Sequence, residues 1–134
     1  MTDTDRDAAA PVSEYPQYTN HDESLVSVGE LMDIQQLIDA CNDPWYNQTL
    51  CQVDGSVVRL GVMQGEYHWH KHDEQDEFFL VLDGLFRIEM EDRVVELQPR
   101  QAFTVPKGVR HRPVVPVRTA VIMIESAGVR PTGD

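Results

Sequence analysis

From Ser27 onward, apolar positions recur at helical intervals. Leu31, Ile34, Leu37, Ile38 and Cys41 fall on one face, Ser27-Val28-Gly29-Glu30 has the spacing of a capping box, and Pro44 cannot continue a helix. The pattern predicts one amphipathic helix of about three to four turns, from Ser27 to just before Pro44. Beyond Trp45 the period shortens. Residues 49–53, 57–63, 66–72, 77–82, 85–90, 94–97, 102–105, 111–115 and 119–124 form short β-rich runs. Turn signals separate them: Asp54-Gly55, Gln64-Gly65, Asp83-Gly84, Glu91-Asp92, Pro99-Arg100 and Pro106-Lys107-Gly108. Strands joined by hairpins at this spacing predict an all-β domain, an antiparallel sandwich or barrel. Residues 1–24 carry six acids against one Arg and almost no apolar periodicity, the pattern of a flexible acidic arm. The predicted organisation is therefore an arm over 1–24, a helix and linker over 25–48, the β domain over 49–126 and a tail over 127–134.

The run at 77–82 is apolar on both faces, with Phe78, Leu80 and Leu82 on one side and Phe79 and Val81 on the other. Its outer face needs a cover, either the N-terminal helix or a second subunit, and a homodimer is expected. Composition narrows the partners further. The 134 residues suit one domain, and 11 basic against 23 acidic side chains give a net charge of −12. That balance repels phosphate backbones and anionic lipid, so neither nucleic acid nor a membrane surface is an expected partner. No apolar run approaches the ~20 residues a bilayer span requires. Met1-Thr2-Asp3-Thr4-Asp5 is acidic where a secretory signal is basic, and a cytoplasmic setting is expected. Cys41 and Cys51 lack CxxC spacing and read as small core thiols, a bridge between them being the alternative. Lys107, Arg110 and Arg112 surround His111 and read as a solubilising hairpin, with an anion-steering rim as the alternative.

The candidate chemistry lies in the histidines. His68, His70 and His72 alternate with Trp69 and Lys71, so on a regular strand all three imidazoles share one face. Folding the next hairpin back brings Glu77 beside them, and His111, after the Pro106-Lys107-Gly108 turn, can enter from a neighbouring strand. Imidazoles with one carboxylate form a donor set for a divalent transition metal. On a regular strand His68 stands about 7 Å from His70 on the same face, near enough to touch a metal-bound molecule. An imidazole there can give or take a proton, which makes His68 the candidate catalytic acid or base.

His70-Lys71-His72, four residues, Glu77, six residues and Gly84 resemble the first motif of the cupin superfamily, and Pro106-Lys107-Gly108-Val109-Arg110-His111 resembles the second. The likeness spans about residues 49–125. It implies a cupin-type antiparallel β-barrel, the double-stranded β-helix or jelly roll, preceded here by one helix and commonly homodimeric. It also implies His70, His72, Glu77 and His111 as ligands to one divalent metal, with zinc, iron, manganese and nickel all admissible. Three positions depart from the pattern: Gly65 is one residue closer to His70 than usual, Arg100 stands where a turn Gly is common, and Val115 replaces a frequent Asn. None is a ligand position. The function implied is metal-dependent catalysis on a small polar metabolite, by isomerase or lyase chemistry, dioxygenation or nitrogen–nitrogen bond formation. The alternative is a non-catalytic module that binds or senses a small molecule through its metal.

Overall fold

Alternation of apolar side chains is realised as strands almost everywhere beyond Trp45. The computed structural model describes residues 19–128. Strand β1 (Thr19–His21) runs parallel to β2 (Trp45–Val53). The remaining pairings, among β3 (Ser56–Glu66), β4 (Glu77–Asp83), β5 (Phe86–Met90), β6 (Val94–Leu97), β7 (Ala102–Val105) and β8 (His111–Ser126) and between β2 and β3, are antiparallel. The hydrogen-bonded order is β1-β2-β3-β8-β4-β7, with β5 joining β8 to β6. Strand β8 stitches the two halves of this jelly roll together: residues 111–114 pair with β5, and residues 120–124 pair with β4. The runs predicted at 111–115 and 119–124 are thus the ends of one strand. Between them Pro116, Val117 and Arg118 are exposed at a register shift against β3, where a proline's missing N–H leaves no ladder bond unmade.

Both faces of the sheet carry buried apolar side chains. Trp45, Met63, Phe79, Val81, Phe86, Ile88, Val121 and Met123 fill the interior. On the outer face, Leu50, Leu60, Val62, Ala120 and Ile122 lie under Ile34, Leu37 and Ile38 of helix α1 (Ile34–Ala40). Gly84, the last position of the first motif, has φ +100 and meets Thr119 so closely that a Cβ there would lie 2.2 Å from the Thr119 Oγ1. Glycine is required on both counts. Among the described residues no helix is long and apolar enough to cross a membrane.

Helix α1 is shorter than predicted. It has seven residues, and its N-cap is Asp33, whose side chain accepts from the Gln36 N–H at 3.1 Å. The capping-box residues form only a turn, with Glu30 Oε1 accepting from Ser27 N–H at 3.0 Å. Gly29 at φ +90 breaks the helical path, and Val28 and Leu31 remain 93% and 97% exposed. Strand β2 begins four residues before the predicted 49, because the buried Asn47 and Gln48 hide its period. They bond instead to β1 and the segment after it: Asn47 Nδ2 donates to Asn20 Oδ1 at 3.1 Å and Gln48 Nε2 to the Glu23 carbonyl at 3.2 Å. The end of the predicted arm, residues 19–24, is therefore bonded to the barrel; its residues 1–18, and residues 129–134 of the predicted tail, lie outside the described residues.

Candidate metal centre

The histidine segment is not the strand that alternation predicts. Strand β3 ends at Glu66, and residues 67–72 are held to β8 by three backbone bonds: Tyr67 N–H to Pro113 O at 3.1 Å and a reciprocal 2.9 Å pair between His70 and His111. Farther on, the Gly108 N–H donates to His72 O at 2.7 Å, and Lys107 N–H donates to Asp76 Oδ1 at 2.9 Å. These bonds draw the Pro106-Lys107-Gly108 turn onto the acidic loop, so the second motif closes over the first. The three imidazoles do not share one environment: His70 and His72 are buried, whereas His68 is half-buried.

His70, His72, Glu77 and His111 converge. Each offers one donor atom within 4.8 Å of the others, and all four residues are buried. The His70 ring lies 4.5 Å from that of His111 and 5.4 Å from that of His72, centroid to centroid. Glu77, first residue of β4, places Oε1 3.3 Å from His72 Nε2 and 3.5 Å from His111 Nε2.

Two rings are oriented by the chain itself. His70 Nδ1 lies 3.0 Å from the His68 carbonyl and His111 Nδ1 lies 2.9 Å from the Val109 carbonyl. A carbonyl only accepts, so each Nδ1 carries the proton and, in the neutral ring, Nε2 keeps its lone pair. Burial, aided by neighbouring His111, lowers the His70 pKa to about 3, which makes that ring neutral near pH 7. Burial would raise the Glu77 carboxyl, but contacts from His111 and His72 in their protonated form outweigh it and hold Glu77 well below the usual carboxylate range. Glu77 Oε1 and His111 Nε2 are buried without a hydrogen-bond partner. Lone pairs of nitrogen and carboxylate oxygen facing one another in a dry site repel, and a divalent cation satisfies them together. The donor set fits a transition metal.

His68 stands apart from this cluster. Its ring packs on Tyr67 at 4.2 Å and lies 5.4 Å from the His70 ring, and its carbonyl is the group that orients His70. A small cleft, partly open to solvent, adjoins the donors; Phe79, Phe86 and Met123 form its apolar wall and Glu125 lines it, while His68 does not. The basic cluster near His111 is tied to carboxylates: Arg112 to Glu89 at 2.9 Å and Glu66 at 3.1 Å, and Arg110 to Glu91 at 3.8 Å. Cys41 and Cys51 are free thiols, both half-buried. The residues missed by sequence reasoning are Arg59 and Glu125, a buried ion pair within the barrel. The available signal was Arg59 at an inward position of the run 57–63 and Glu125 directly after the run 119–124.

Comparison with known proteins agrees with this geometry. A model of the cupin domain matches residues 52–125, more than half of the chain. The uncharacterised protein YdbB of Bacillus subtilis is 30% identical over 99 residues, covering 73% of this chain and 88% of its own. Among solved structures, a cupin-2 domain containing protein from Shewanella frigidimarina superposes with a TM-score of 0.69 at 26% identity, over 72% of this chain and 94% of that one. A protein from Neisseria meningitidis gives 0.66 at 23% identity, over 72% and 99%.

Proposed function

This chain belongs to the cupin family, and from that premise we propose that it is a metal-dependent enzyme acting on a small polar metabolite, with His70, His72, Glu77 and His111 holding one divalent transition metal. The observation that supports this reading is the convergence of four buried donor atoms within 4.8 Å. A metal bound there supplies Lewis acidity, and iron in addition the capacity to activate oxygen. The chain supplies the rest. The His68 and Val109 carbonyls fix the rings of His70 and His111, and Phe79, Phe86 and Met123 give the cleft a wall that excludes water. We propose His68 for proton transfer, its half-buried ring 5.4 Å from that of His70 but outside the cleft lining, so that it would act from behind His70 unless its ring turns toward the cleft. A second copy of the chain is the proposed macromolecular partner.

A non-catalytic binding module is the second reading, favoured by one observation: apart from the donors His70, Glu77 and His111, the titratable group lining the cleft is Glu125, which is already held by Arg59. Elemental analysis of protein purified without added metal, then an oxygen-uptake assay with iron restored, tests the proposal. About one transition metal per chain is expected. Failure to take up stoichiometric metal after reconstitution refutes the site.

A further inference from the structure

Two charged side chains that the donor cluster does not use lie within the barrel. Arg59 on β3 and Glu125 on β8 have side chains only 6% and 1% exposed, and Arg59 Nη1 lies 2.5 Å from Glu125 Oε1. Arg59 Nε also donates to Thr49 Oγ1 at 3.1 Å. Such a pair gives little stability over well-packed apolar residues of the same volume, so its position calls for another reason.

The strand register supplies one. Strands β4 and β8 are antiparallel with Phe78 opposite Ile124 and Phe79 opposite Met123, which makes Glu77 and Glu125 the next cross-strand neighbours. Phe79 and Met123 lie in the interior core, and by alternation Glu77 and Glu125 point the same way. Both carboxyls line the same cleft, so a row of neighbouring charged groups runs from Arg59 through Glu125 to Glu77. On the other flank Glu77 is paired with Val105, which offers its carboxyl nothing polar.

We propose that Glu125, pinned by Arg59, is a positioning residue that holds the Glu77 carboxyl with Oε1 turned toward His72 and His111. Two carboxylates side by side repel. Arg59 offsets that repulsion by holding Glu125 Oε1, which fixes where the second carboxyl stands beside Glu77. Without that contact, Glu77 would turn away from the imidazoles.

The inference rests on the four-donor reading, and its test has an arm independent of metal. In E125Q the amide can accept from Arg59 and donate to Glu77. In E125L both contacts are gone and Arg59 is left buried and unpaired; the double variant R59M/E125L removes that burden and preserves the fold. Cobalt affinity is measured by competition with a chromophoric chelator, coordination by the visible spectrum of cobalt-loaded protein, and Glu77 placement by crystal structures of the metal-free variants. E125Q should match wild type in all three. The double variant should bind cobalt about tenfold or more weakly, with an altered spectrum and Glu77 turned away. Wild-type affinity and Glu77 placement in the double variant, or E125Q as weak as E125L, would overturn the proposal. Wild type that takes up no cobalt overturns the metal reading instead, and the metal-free structures then decide the positioning role by themselves.

Discussion

At the scale of single residues, the ligand types could be read from spacing while their surroundings could not. His70, His72, Glu77 and His111 meet as the two motifs imply. The direction of His68 depended on a regular strand, and residues 67–72 do not form one. His70→Ala should therefore lose most of the metal, together with any oxygen uptake. His68→Ala should keep the metal and lose the uptake; metal loss in that variant would make His68 a ligand, and unchanged uptake would remove it from the chemistry. The metal-free protein should also respond to pH in two directions. His70, lowered from 6.5 to about 3, binds fewer protons folded than unfolded, so its contribution is lost as pH falls from 6.5 toward 3. Glu125, raised from 4.5 to about 9, binds more protons folded, so its contribution is complete below 4.5 and lost as pH rises toward 9. The two oppose each other between 4.5 and 6.5 and act singly outside it. Thermal unfolding in chelator should show a broad optimum in mildly acid buffer with a decline on each side, and E125Q should lack the alkaline decline. A wild-type Tm that climbs from pH 6.5 to 9 contradicts this assignment.

Among the elements, β6 and β7 occupy the predicted residues because each is a short apolar run closed by turn residues. Helix α1 was over-extended because capping-box spacing cannot reveal that Gly29 adopts φ +90. Strand β2 was cut short because its buried polar residues satisfy partners 25 and 27 positions away in sequence, which no local pattern records. Arg59 and Glu125 were hidden for a related reason: a charge in an apolar strand resembles a solvent-facing position until a partner strand is known. The Arg100 departure has a local consequence. Arg100 sits at φ +72 between β6 and β7, and its N–H donates to the Val81 carbonyl at 2.8 Å. A left-handed non-glycine residue costs about 1–2 kcal/mol. Glycine removes that strain but adds about 0.5–1 kcal/mol of unfolded-state entropy. Arg100→Gly should accordingly stabilise the fold by about 0.5 kcal/mol, roughly 2 °C in Tm. A lower Tm by calorimetry would show that the turn carries no such strain.

At the scale of the whole molecule, the need for a cover over the outer sheet face was legible, since 77–82 is apolar on both sides, but the extent of that cover was not. Helix α1 covers the rows through Leu60, Ile122 and Leu80. One row along, Val58, Ile124 and Phe78 are register partners across β3, β8 and β4 on the same outer face. There Ile124 is 39% exposed and Phe78 is half-buried. A three-strand row of apolar side chains at the margin of the helix is suited to a twofold contact, in which each copy presents the same surface to the other. A stable contact buries about 1,200–2,000 Å² in total, so it must extend past this row toward β7, whose Thr104 pairs with Phe78. The acidic surface opposes association of two identical chains, each of net charge −12, and added salt should therefore strengthen the dimer. Light scattering of wild type should give twice the 15.3 kDa chain mass. Ile124→Glu, pointing outward and away from the donor cluster, should give the single-chain mass while retaining metal stoichiometry. Wild type at 15.3 kDa at micromolar concentration and moderate salt, or an Ile124→Glu variant that remains dimeric, would place the second copy elsewhere or remove it.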